Sequence, residues 1–140
     1  MSASIGFYNG NPFAGGKSAS NVDWGSQQCL FELFSSSTYF DVFEIGYGQW
    51  KELTIDLITL WELKVKNQIH QIEEQIRDLE NSRTILLQNF TEEKEDYLVE
   101  LSENIEDFKS EITFGYKLLG VFDVFEICIY SNHPIVAFYD

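Results

Sequence analysis

The chain has 140 residues, with 23 acidic side chains against nine basic ones and a formal net charge of -14. A surface this negative repels phosphate and anionic lipid, which argues against direct nucleic-acid binding and against docking on a membrane surface. Hydrophobic residues at 44% and aromatics at 16% supply a packed core rather than a disordered chain, and a single domain burying roughly 70% of its unfolded surface is expected at this size.

Ser2 to Gly6 is small and polar, without the apolar segment and cleavage pattern of a secretion signal. Cys29 and Cys128 both sit in apolar, strand-like runs. The expectation is a cytoplasmic protein with buried, reduced thiols. The longest apolar run, around Ile55 to Trp61, is broken by Asp56 and is too short to span a bilayer.

In chain order, Ser4 to Tyr8 predicts a short strand, followed by a loop at Asn9-Gly10-Asn11-Pro12 and Gly15-Gly16. Gln28 to Phe34 and Thr38 to Tyr47, rich in Phe, Tyr, Val and Ile around Ser35-Ser36-Ser37, predict a strand pair. From Gln49 to Phe114 there is neither Gly nor Pro, although the chain holds nine Gly and two Pro. That segment predicts helix. Leu118 to Tyr130 and Pro134 to Tyr139, joined by Ser131-Asn132-His133-Pro134, predict a second strand pair.

The expected fold is therefore α+β: a mainly antiparallel sheet of four to five strands with a long helical hairpin inserted between two strand pairs. The single domain, 1–140, divides into N-terminal strands and Gly-rich loop (1–48), helical hairpin (49–114) and C-terminal β-hairpin (115–140). The hexapeptide Phe40-Asp41-Val42-Phe43-Glu44-Ile45 recurs letter for letter at Phe122-Asp123-Val124-Phe125-Glu126-Ile127. The repeat admits an internal duplication or two similar strands of one sheet.

Inside the helical segment one apolar stripe runs Ile58, Trp61, Val65, Ile69, Ile72, Ile76, Leu79, Leu86 and Phe90, at coiled-coil spacing. A second runs Tyr97 or Leu98, Leu101, Ile105, Phe108 and Ile112. Between them lie the weak helix formers Asn81-Ser82-Arg83-Thr84 and a capping signal in which Asn89 caps a helix and Glu92 closes the box. One helix of about 64 residues would extend roughly 95 Å, and a two-arm hairpin keeps both seams within one chain. The hairpin is the favoured geometry.

Motifs for chemistry are weak. Asn11-Pro12-Phe13-Ala14-Gly15-Gly16-Lys17-Ser18 misses a phosphate-binding loop at its first glycine, and Ala19 to Gly25 make a poor helix. His70 and His133 lie far apart, no Cys or His pair has ligand spacing, and neither a metal nor a cofactor is expected. Cys128 and His133 could form a nucleophile and base only if Cys128 were exposed, and Ile127-Cys128-Ile129 reads as core.

The strongest surface signal is acidic. Glu92, Asp96, Glu100, Glu103 and Asp107 step by four, four, three and four, opposite Leu101, Ile105 and Phe108. From Glu92 to Glu111 there are nine acids and two lysines. This face either keeps a helix solvated or presents carboxylates to a basic partner. Trp24, Phe31, Phe34, Tyr39 and Phe40 either fill the sheet core or form an aromatic contact surface.

The functional expectation is a non-catalytic acidic binding protein, an inhibitor that occupies the basic site of another protein as immunity or anti-defence proteins do, in the manner of a nucleic-acid mimic. Part of the helical seam, Ile69, Ile72, Ile76, Leu79 and Leu86, is also expected to lie between chains, giving a homodimer or higher oligomer. One alternative function is a homo-oligomeric coiled-coil scaffold assembled through that seam. The other is a small-molecule binder whose pocket near the N-terminal loop uses Asn9, Asn11 and Lys17.

Overall fold

Helix α1 (Ile55–Gln88, 34 residues) opens at Thr54, whose side-chain oxygen accepts from the Leu57 N–H at 3.1 Å, with Asp56 in the first turn. Both features satisfy or complement the otherwise unpaired N-terminal amides. The helix closes at Asn89, whose N–H donates to the Leu86 carbonyl. A 3-10 turn at Glu92–Lys94 leads into helix α2 (Glu95–Tyr130, 36 residues). Each helix is thus about 50 Å long, and the two pack against each other as a hairpin. The computed structural model describes residues 5–9, 17–18, 38–45, 48–132 and 134–139.

The seam runs along the apolar stripes. Ile58, Trp61, Val65, Ile69, Ile72 and Ile76 of α1 are buried, and so are Leu101, Ile105, Leu118, Phe122, Phe125 and Cys128 of α2. With the half-buried Phe108 and Ile112 and the buried Gly115 filling the interval, steps of three and four hold from Leu101 to Cys128, the spacing at which an α-helix keeps one face toward a partner. Two contacts fix the register: Ile69 lies against Gly115, and the Trp61 and Phe122 rings are 6.0 Å apart.

Four short strands lie at the base of the hairpin: β1 (Ile5–Asn9), β2 (Lys17–Ser18), β3 (Trp50–Glu52) and β4 (Val136–Tyr139). All pairings are antiparallel, in the order β2-β1-β4-β3. β3 enters α1 and β4 comes after α2, so their pairing closes the hairpin where its two ends meet. The Leu53 N–H extends that pairing to the Ile135 carbonyl at 2.8 Å.

This is a helical hairpin with a small sheet at its base, and it overturns the expected α+β fold with a helical insertion between two strand pairs. The decisive segment is Leu118 to Tyr130, expected as a strand and in fact the last third of α2. Its apolar residues are so dense that they satisfy a two-sided strand, yet Leu118, Phe122, Phe125 and Cys128 also recur at helical steps and are the buried ones. Gly115, just past the expected end of the helix, and Gly120, inside the expected strand, both lie within α2.

Thr38 to Tyr47, where described, is likewise no strand. Phe40–Phe43 forms a 3-10 turn that ends in Glu44 at φ 49, a left-handed conformation uncommon for a non-glycine residue. Gln28 to Phe34, Trp24, Phe31 and Cys29 lie outside the described residues. The expected N-terminal cap at Asn89 is also corrected: Asn89 ends α1, and its carbonyl accepts from Lys94 Nζ at 3.1 Å.

Candidate functional surface

The 3-10 segment is held in place by Tyr39. Its ring is fully buried, and its hydroxyl donates to the Glu111 carbonyl of α2 at 2.6 Å. The hydroxyl reaches that carbonyl because Gly115, one turn further along, has no side chain: an ideal Cβ there would fall 2.6 Å from Tyr39 Oη. Burial, and secondarily the Glu111 carboxylate, push the phenol up to about 12. Phe43 then inserts against Trp61, edge to face with centroids 4.9 Å apart, and against Phe122 at 6.3 Å. Tyr39 is therefore core and not part of an exposed aromatic contact surface. Trp24, Phe31 and Phe34 are not described, and of Phe40 only the backbone is.

The proposed oligomer seam is occupied within the chain. Ile69, Ile72 and Ile76 are buried against α2, Leu86 is buried, and Leu79 is partly buried against the same core. Of the three possible ligand contacts, Asn9 and Lys17 are backbone register partners in the β1–β2 pairing, and Asn11 lies outside the described residues. Lys17 and Ser18 occupy β2 rather than a helix start, so the phosphate-loop resemblance lacks its structural context.

Cys128 is a free thiol, 5% exposed, and burial pushes it up from its ordinary value. His133 is not described, and His70 pairs with Glu74 one turn along the exposed face of α1 at 3.1 Å. Among the described residues no group of three His, Cys, Asp or Glu side chains is placed to hold a metal ion. Also among them, no helix is long and apolar enough to cross a membrane.

The acidic residues are where the surface differs most from a neutral helix. Asp96, Glu100, Glu103 and Asp107 are exposed on α2. Their steps keep them within a sector of about 60° over about 16 Å of rise. Glu92, exposed as well, belongs to the preceding 3-10 turn and lies outside this helical repeat.

Among the described residues none of these five carboxylates is in an ion pair. The two lysines nearest in sequence are engaged elsewhere, Lys94 on the Asn89 carbonyl and Lys109 toward Glu106 at 3.8 Å. The row is thus an unneutralised line of charge on a rigid helix.

An open depression of about 450 Å³ borders the row. Leu98, Val99 and Ser102 line it together with Glu103, Glu106 and Asp107. Val99 falls between the seam and the acidic stripe, so neither pattern in the sequence singles it out. A second depression, of about 240 Å³, lies between the helix ends at the tip and includes Ile85, Leu86 and Tyr97. No family model, curated protein or solved structure matches the chain.

Proposed function

We propose that this chain is a non-catalytic acidic binding protein, which inhibits a partner by laying the carboxylate row of α2 into a basic site. The observation that carries the reading is the line of exposed, unpaired carboxylates at Asp96, Glu100, Glu103 and Asp107. Like charges three and four residues apart oppose helix formation by roughly 0.2–0.5 kcal/mol per pair. A one-sided face thus carries a standing cost that a partner's cations would relieve. Occupation of the Ile69, Ile72 and Ile76 seam inside the chain leaves the scaffold alternative without its expected interface.

The test is a comparative capture with the unmodified protein and a variant carrying Asp96→Gln, Glu100→Gln and Glu103→Gln. A partner held through the row is retained by the unmodified protein, lost with the variant, and released by added salt, since exposed charges are screened beyond about 8 Å at physiological ionic strength. Gln keeps helix propensity and removes the repulsion. The loss of Asp96 from the first turn offsets part of that gain by about 0.3–1 kcal/mol, so stability should stay within about 1 kcal/mol. Partners retained equally by both proteins and indifferent to salt would refute the reading.

A further inference from the structure

Singly exposed apolar side chains are ordinary on a protein surface. Their concentration here is not: of the eleven large apolar side chains exposed among the described residues, five (Ile85, Leu87, Phe90, Tyr97 and Val99) fall within residues 85–99. Two of them border the carboxylate row. By helical geometry Tyr97 lies roughly 100° to one side of Asp96 and Val99 roughly 60° to the other. Tyr97 is 52% exposed and Val99 50%. Val99 lines the depression whose other walls include Glu103, Glu106 and Asp107.

We propose that this strip docks a cationic amphipathic helix of a partner protein, whose lysines or arginines lie along the row while its apolar side chains cover Tyr97 and Val99. The inference rests on the acidic-binding reading and narrows it, because a bare basic surface would leave both apolar flanks in water. Charge complementarity selects the occupant. A second copy brings another net charge of -14 to the same place, and like charges brought together oppose association. A cationic helix supplies apolar anchors and positive charge from a single face, the helix-in-groove mode of recognition.

The probe is a fluorescein-labelled synthetic helix of about 18 residues whose docking face carries a central line of Lys flanked on both sides by Leu, the remaining face being Ala and Gln, followed by anisotropy. An oligolysine of equal charge serves as comparison. Tyr97→Ser with Val99→Ser replaces two half-exposed side chains, and far-UV circular dichroism with urea unfolding confirms that the variant is folded. The proposal requires this double variant to bind the amphipathic peptide at least about tenfold more weakly, and the oligolysine to bind the unmodified protein weakly by a similar factor.

Equal affinity of the folded double variant, or equal affinity for the two peptides, overturns the docking strip. The carboxylate reading then survives if the triple Gln variant still loses binding, and falls with it if that variant does not. Self-association of the unmodified protein that the Ser substitutions abolish also overturns the proposal, by placing a second copy on the strip.

Discussion

Replacing Gly115 by Ala should destabilise the protein, and the same replacement at Gly120, on the same helix, should stabilise it. An ideal Cβ at Gly115 falls 2.6 Å from Tyr39 Oη and 2.7 Å from both Cγ1 and Cδ1 of Ile69. Carbon atoms in good contact lie about 3.5–4.0 Å apart, so the overlap approaches 1 Å, and one of the two opposing side chains is a rigid ring. Overpacking of this kind costs about 1–3 kcal/mol. Displacing Tyr39 also weakens its hydrogen bond to the Glu111 carbonyl, worth about 0.5–1.5 kcal/mol. Against these stands the helix-propensity gain of Ala over Gly, about 1 kcal/mol.

The net expectation is a loss of roughly 1–3 kcal/mol for Gly115→Ala. At Gly120 a Cβ meets nothing within 4 Å and the residue is exposed, so only the propensity gain of up to about 1 kcal/mol remains. Urea unfolding followed by circular dichroism measures both, and an unchanged slope would confirm that stability alone has moved. Tyr39→Phe removes the closest obstructing atom, so the double variant with Gly115→Ala should be less destabilised than the two single changes added together, with a coupling of about 0.5 kcal/mol or more on the usual scale. If Gly115→Ala were as stable as Gly120→Ala, the close approach of Tyr39 and Ile69 to the helix would be refuted.

Tyr39 also predicts a pH dependence. Its phenol is raised from 10.0 to about 12 in the folded protein, so the contribution of the neutral form is fully present below pH 10. It is lost as pH rises through about 12, by on the order of 2–3 kcal/mol. The excess loss over that window should be absent in Tyr39→Phe, and equal slopes in the two proteins would contradict it. In a Cys29→Ser variant, Cys128 should react with a thiol reagent only after denaturant is added, because its thiol is both buried and shifted up; prompt reaction in the native state would disprove its burial. Ile72→Asp should unfold the protein rather than release a folded monomer, since Ile72 is buried by its own chain and an unpaired buried charge costs several kcal/mol out of a typical total of about 5–15. A folded, soluble Ile72→Asp monomer would return that side chain to an interface.

The helical arms were legible because their signal is redundant: Ile58, Trp61, Val65, Ile69, Ile72 and Ile76 repeat at steps no strand would keep on one face, and all are buried. Exposure of the acidic row was legible for the same reason, being the complement of the Leu101 and Ile105 stripe. The end of α2 was not legible, because Gly115 reads as a helix breaker by its local preference. Its absent side chain is what admits Tyr39, far earlier in the chain, and that tertiary contact outweighs about 1 kcal/mol of propensity. No local window contains both residues. Val99 was not legible because it lies between the buried stripe and the acidic row and belongs to neither repeat.

The repeated hexapeptide shows where the sequence did hold the answer. Phe122 and Phe125 are three residues apart, and both are fully buried. In a strand, positions three apart point to opposite faces, whereas in an α-helix or a 3-10 turn they share one. The identical first copy adopts the 3-10 turn at Phe40–Phe43, not a strand, and buries Phe43 against Phe122. Both copies therefore take helical backbones of different pitch. A Phe-x-x-Phe step with acidic residues between and after is a helical pattern, and giving weight to the β propensity of Phe, Val and Ile hid it. The difference between the copies arises from length. The second copy continues about seven turns of α-helix already nucleated upstream and packed on α1, where each further residue adds a hydrogen bond at little extra entropy. The first stands alone before Glu44 turns the chain, and a short isolated segment does not repay the nucleation of an α-helix.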